Sequence, residues 1–293
     1  MPRVHRPFPL AGGALLLLGL VCAAACTTGS QSTADSAAHT ASVDATAKAV
    51  ATAAAGAHRS PAHAARDVYR HPVETLAFFG LEDDMTVIEI LPGAELWSTE
   101  LLAPVLRERG RLVVASFDMN APGIVDYQKN AHAALLTRMA HEPRIFGAIG
   151  LAKLSPPDGV DLGAPGSADM VLTFRSTHGW LNAGVADQVY AAFFTVLKPG
   201  GVLGVEQHRA GPKTNLEAFT GYVPEAKLIE IAERAGFVLE ARSEINANPK
   251  DTADHAAGVW TLPPSLRLGD RDREQYLAIG ESDRMTLRFR KPL

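Results

Sequence analysis

The chain has 293 residues, 47% of them hydrophobic and 20% charged, with a formal net charge of -4 at neutral pH. That is material for one large domain or two small ones with a sizeable core, and mild acidity without any basic run argues against a nucleic-acid partner. The only cysteines, Cys22 and Cys26, lie near the N-terminus, so the remainder holds no disulfide and no thiolate metal site. His132, His141 and His255 are scattered without ligand spacing, and no metal is expected.

The N-terminus reads as a targeting segment, residues 1–26. Arg3 and Arg6 precede an apolar run over 10–25 that ends in Ala23-Ala24-Ala25-Cys26. The run is shorter than the ~20 residues of a membrane span and fits an export leader with a small-residue cleavage site. Small residues directly before Cys26 resemble a bacterial lipobox, with lipidation on Cys26 and a place on the periplasmic face of a membrane. Simple cleavage after Ala-x-Ala, leaving a soluble periplasmic protein, is the alternative. Residues 27–65, rich in Ala, Ser and Thr, bury too little surface to offset ordering entropy and read as a disordered tether, in which 45–57 has the composition of a frayed helix.

The domain proper is expected over 66–293. Its pattern predicts a helix over 67–81, with His71-Pro72 as a start or kink. A buried strand follows over 87–91, carrying one carboxylate, Glu89, and then a Pro92-Gly93 turn. A helix spans 98–109 and a second strand 112–117, ending at Asp118. Helices follow at 127–139, 187–197 and 224–235. Strands follow at 168–174, 202–206, 237–245 and 285–290, with a weaker one in 145–154. Pro156-Pro157-Asp158-Gly159 and Lys198-Pro199-Gly200-Gly201 are turns. Strands alternating with helices imply a Rossmann-like α/β fold: a seven-stranded, mostly parallel sheet with helices on both faces. Only a Pro- and Gly-containing loop separates the last two strands, which suits an antiparallel final strand.

Val87-Ile88-Glu89-Ile90-Leu91-Pro92-Gly93, Asp118 and Leu197-Lys198-Pro199-Gly200-Gly201-Val202-Leu203, in this order, resemble a class I S-adenosylmethionine-dependent methyltransferase. A narrower resemblance, to a bacterial family of predicted, often secreted methyltransferases, rests on Arg70-His71-Pro72, Phe78-Phe79-Gly80, Arg175 with His178 and Trp180, 206–209, 246–252, 258–264 and 280–285. It covers about residue 65 to the end. One stretch departs from it: the family continues Pro-Gly-Gly-Gly-Trp-Tyr, whereas here the loop is Pro92-Gly93-Ala94-Glu95-Leu96-Trp97-Ser98.

The resemblance implies S-adenosylmethionine as cofactor, held by Glu89, Gly93, Phe117 and Asp118. Glu89 is a carboxylate in an apolar strand and costly to bury alone. Gly93 allows close backbone approach, and Asp118 would accept from ribose hydroxyls. Arg175 and His178, after the 168–174 strand, are the catalytic candidates, His178 either orienting a substrate or taking a proton. Trp180, His208 and Arg209 would border the substrate, and the 246–264 loop would form a lid presenting Asn248 and Trp260. Methyl transfer to a small or medium acceptor is the leading reading. An exported methyltransferase-like binding module for a nucleoside-like ligand is the alternative. A nicotinamide oxidoreductase is disfavoured, because Gly-x-Gly-x-x-Gly is missing.

Overall fold

The computed structural model describes residues 42–293. The leader, Cys26 and residues 27–41 lie outside the described residues. Residues 42–54 form a helix, α1, and α2 (Pro61–Ala64), α3 (Asp67–Arg70) and α4 (Pro72–Phe79) follow.

The described part of the expected tether, 42–65, is therefore ordered and belongs to the domain. Its alanine-rich composition conceals a stripe: Thr46, Val50 and Ala53 sit four and three residues apart and are all buried, the spacing of one helix face. Ser42 Oγ donates to Glu82 at 2.9 Å, and Thr46 Oγ accepts from the Asp83 N–H at 3.2 Å. The expected helix over 67–81 is split at His71, whose φ of 38° ends α3, because the proline that follows disfavours the helical conformation at the preceding residue.

The strands are β1 (Thr86–Ile90), β2 (Arg111–Ser116), β3 (Gly150–Ser155), β4 (Gly159–Asp161), β5 (Ala168–Phe174), β6 (Leu197–His208), β7 (Val238–Ser243) and β8 (Arg284–Arg290). They form one sheet in the order β4-β3-β2-β1-β5-β6-β8-β7. Pairs β1–β2, β1–β5, β2–β3 and β5–β6 are parallel. β8 enters antiparallel between β6 and β7. Strand order reverses beside β1, and the crevice at that point is where such sheets bind ligands.

Among the described residues eight strands replace the seven expected. The additional one, β4, is three residues long and pairs antiparallel with β3 across the Pro156-Pro157-Asp158-Gly159 turn, too short to leave a periodic signal. Side chains alternate across the sheet. Ile88, Ile90, Val171 and Leu203 pack against α9 (Ala186–Val196) and α10 (Glu225–Arg234) on one face. Val87, Val114, Met170 and Leu172 pack on the other against α4, α5 (Thr99–Leu106), α6 (Asp126–His141) and α7 (Pro143–Phe146). Glu89 shares the face of Val87.

Gly204 lets α4 lie close to the sheet: a Cβ there would stand 2.6 Å from Leu172 Cδ2 and 2.8 Å from Phe79 Cγ. Phe79 is fully buried, which stabilises the fold by up to about 3 kcal/mol. The remaining helices are α8 (Thr177–Asn182) after β5 and α11 (Arg273–Ile279). α11 and a 3-10 turn, Gly258–Thr261, occupy the connection between β7 and β8 that reads as plain loop. That connection is Pro- and Gly-punctuated, and α11 buries no residue, so no apolar stripe marks it.

Candidate functional site

The carboxyl ends of β1, β2, β5 and β6 open into a cavity of about 970 Å³, the upper end of the size of small-molecule sites. Gly93, Phe117, Asp118, Arg175, His178, Trp180, His208 and Trp260 all line it. Three expected site residues do not.

Glu89 is fully buried below the cavity floor, where its Oε2 accepts from the Thr99 hydroxyl at 2.7 Å. Burial outweighs the help of Ser98 and Thr99 and pushes its carboxyl up to about 7, and Oε1 has no partner among the described residues. It braces the start of α5. Arg209 spends its guanidinium on Asp283 (2.9 and 3.1 Å) and Glu244 (2.8 and 2.6 Å). Asn248 binds the Ile279 and Glu281 carbonyls at 2.9 and 2.6 Å and takes Asp283 on its backbone N–H. Both residues fasten the β7–β8 connection to the start of β8, a role that polar loop residues at such spacing do not announce in sequence.

The turn after β1 keeps a left-handed shape despite its missing glycines. Gly93 has φ 75°, and Leu91 and Leu96 are at 45° and 54°, which strains each leucine by about 1 kcal/mol or more. Packing holds them there. Leu96 and Trp97 are buried, and the Trp97 indole donates to the His63 carbonyl at 3.1 Å. Arg70 stacks 4.7 Å over the Trp97 ring. Next along, Glu100 is fully buried and meets Arg138 at 2.9 Å, His63 at 2.9 Å and Arg59 at 3.6 Å. Residues 58–70 thus clamp the loop from outside. The backbone at Gly93 is open: an added Cβ would meet only Tyr127 Oη, at 3.9 Å.

At the β2 end, Asp118 Oδ1 accepts from the Asn120 N–H at 3.1 Å and Oδ2 faces Lys153 at 3.4 Å. The Asn120 bond and the lysine hold its carboxyl below the usual range, so it is an ionised acceptor. Phe117 and Tyr127 stand edge to face at 6.0 Å and form an aromatic wall.

At the β5–β6 end, Gln207 fixes the imidazole of His178. Its Oε1 accepts from the Thr177 N–H at 3.1 Å, and its amide nitrogen donates to the Gly221 carbonyl at 3.2 Å and to His178 Nδ1 at 3.3 Å. An amide nitrogen only donates, so His178 Nδ1 accepts and the ring proton sits on Nε2. Burial, with the charge of Arg175, pushes His178 down to about 4. At neutral pH this side chain is a hydrogen-bond donor to the cavity rather than a base. His208 is likewise held well below its ordinary value by burial and by His178, with Nδ1 2.6 Å from Ser282 Oγ. Trp180 packs edge to face on Tyr190 and Phe193 at 6.3 and 5.7 Å and closes the cavity floor.

Sequence reasoning missed a charged cluster beside these residues. Arg175 Nη1 lies 2.8 Å from Glu206 Oε1, which also faces Arg284 Nη1 at 3.2 Å. Glu281 accepts from Arg66 at 2.6 Å, from Arg70 at 3.0 Å and from Arg284. Burial alone would raise both carboxyls. The surrounding arginines outweigh it, holding Glu206 below its ordinary value and Glu281 down to about 2. Arg70, Glu206, Glu281 and Arg284 all fall inside the motifs of the narrow resemblance, so a signal existed. Arg66 carried none.

No protein-family model matches this chain, and no curated protein matches it. Among solved structures it is similar to a SAM-dependent methyltransferase from Aquifex aeolicus, at 13% identity and TM-score 0.50, over 79% of this chain and 94% of that one. It is also similar to phosphoethanolamine N-methyltransferase 2 of Haemonchus contortus, solved with S-adenosyl-L-methionine, at 17% identity and TM-score 0.50, over 77% of this chain and 53% of that one. Topology and likeness agree: the chain has the Rossmann-like fold of class I methyltransferases, with an antiparallel strand inserted near one edge of the sheet.

Proposed function

We propose that this protein transfers a methyl group from S-adenosylmethionine to a small or medium-sized acceptor bound in the cavity. The observation that carries the reading is the placement of Gly93, Phe117 and Asp118 together at the tips of β1 and β2 in one cavity. The residues fit the cofactor: an open left-handed turn, an ionised acid for paired hydroxyls and an aromatic wall. The cofactor supplies a methyl activated by a positive sulfur, so the chain's task is to position and to exclude water.

Asp118 would accept the ribose hydroxyls, and the Gly93 turn would let the backbone close on the amino-acid end. Glu89 acts one layer below, by fixing the start of α5 through Thr99. His178 offers its Nε2–H to an acceptor oxygen. Isothermal titration with S-adenosylmethionine and S-adenosylhomocysteine tests the reading. We expect binding of both, and absence of heat at high micromolar ligand overturns it.

From the leader we further propose export, with a lipid on Cys26 as the only membrane attachment. Incorporation of labelled palmitate that is lost in Cys26→Ala is the expected result.

A further inference from the structure

Charge is unevenly distributed around the cavity. The acids Asp118 and Asp158 stand at the β2–β4 end, and Arg66, Arg70, Arg175 and Arg284 at the β5–β8 end. Three carboxylates serve these four guanidiniums: Glu95, Glu206 and Glu281. Glu281 is shared by three arginines and Glu206 by two, and Glu95 meets only Arg66. Arg175 therefore commits just Nη1, and Arg70 just Nε, to carboxylates. Arg70 Nη1 is buried without a partner among the described residues.

A buried guanidinium short of counter-charge is costly unless something supplies it. Burial and the neighbouring Arg175 push Arg70 well below its ordinary value, the sign of a cluster lacking negative charge. Arg175 itself is held at φ 59° where β5 ends, a conformation retained where the surroundings over-determine it.

Beside the arginines lies an aromatic box. The Phe219 and Trp260 rings are 5.1 Å apart, and His178 lies 5.8 Å from each. Phe219 is half exposed among the described residues. S-Adenosylmethionine, with its ammonium, sulfonium and carboxylate, is net positive and suits the acidic end. The basic end is left for a ligand of opposite sign.

We propose that the acceptor is a planar aromatic acid, its ring received by Trp260, Phe219 and His178 and its carboxylate by Arg175 and Arg70. The inference rests on the methyl-transfer reading for the word acceptor. The site itself stands on the guanidinium excess and the rings.

Benzoate and its uncharged isostere benzamide, titrated by ligand-observed NMR against the full chain with and without S-adenosylhomocysteine, test it. We expect benzoate to bind with a Kd of about 1 mM and benzamide about tenfold more weakly, since a charge-assisted bidentate contact is lost. Arg175→Met should erase that difference, and Arg175→Lys should restore part of it. Trp260→Leu should weaken both probes, and S-adenosylhomocysteine affinity should stay within about twofold in Arg175→Met.

Equal binding of the two probes, or no benzoate binding up to about 20 mM, overturns the proposal. So does an Arg175→Met variant that loses S-adenosylhomocysteine as strongly as benzoate, which would assign the arginines to the cofactor's own carboxylate. Failure of the methyl-transfer reading looks different: benzoate still binds and S-adenosylhomocysteine does not.

Discussion

Arg284 and Glu206 meet at 3.2 Å with both side chains 1% exposed, and the same guanidinium also holds Glu281. Removing one member of a buried pair leaves the other charge without compensation. Arg284→Met should therefore lower unfolding free energy by about 3–5 kcal/mol. Glu206 keeps Arg175 as a partner, so adding Glu206→Gln should not rescue the fold but should cost less on top of Arg284→Met than it costs alone. Urea unfolding of both single variants and the double variant measures this, and strictly additive losses would contradict a shared network.

Glu89 makes stability fall with rising pH. Its carboxyl titrates at about 7 when folded and at about 4.3 when unfolded. Between those values the native state holds the proton more tightly, so stability declines as pH climbs through the window and levels off above it. His178 runs the other way, kept neutral down to about 4 against about 6.5 unfolded, so its contribution rises with pH over a similar range. The wild-type curve alone conceals both trends. The difference between Glu89→Gln and wild type should rise by about 3 kcal/mol from pH 4 to pH 7, and a flat difference would remove the carboxylate from its buried site.

Gly93 and Asp118 should separate by mechanism. Gly93→Ala has room for its methyl group but not the backbone freedom, since φ is 75°. It should weaken S-adenosylhomocysteine binding about tenfold through strain of about 1–2 kcal/mol. Asp118→Ala removes an ionised acceptor and should cost about tenfold or more, with little change in thermal midpoint, because its Lys153 contact is half exposed at 3.4 Å. Calorimetric titration of each variant distinguishes them from a merely unfolded protein.

A chain beginning at residue 66 should be less stable than one beginning at residue 42. The shorter chain loses the buried faces of Thr46, Val50 and Ala53, the Arg59–Asp67 pair at 2.6 Å and the His63 and Arg59 contacts to Glu100. Glu100 then keeps Arg138 alone. A thermal midpoint lower by several degrees is expected, with weaker S-adenosylhomocysteine binding because the loop loses the Trp97–His63 bond that helps clamp it. Equal midpoints would return the segment to the status of a tether.

The parallel core was legible because β1, β2 and β5 are apolar runs bounded by Gly, Pro or Asp, and α9 and α10 carry clear stripes. The residues at strand tips, Gly93, Asp118, Arg175 and His178, were legible for the same reason: the fold fixes where strand ends go. What sequence could not convey was direction and partnership. Glu89 looked like a site residue because it interrupts a strand, yet strand alternation aims it at Thr99, under the floor. Arg209 and Asn248 are polar residues at a plausible place, and only three-dimensional pairing shows them spent on Asp283 and the Glu281 carbonyl. Residues 42–65 misled through composition, since small side chains on one helix face pack well while looking like linker.

The insertion of β8 between β6 and β7 bears on how the chain matures. β6 cannot complete its second edge, nor β7 join the sheet at all, until the segment from Arg284 to Arg290 exists. Arg284 at the head of that strand also neutralises Glu206 and Glu281, so the arginine cluster assembles in the same late event. A chain synthesised from its N-terminus therefore stays open along β6 until β8 has been made. If the chain is exported unfolded, as proposed, the closing strand sets the moment by which threading must be over.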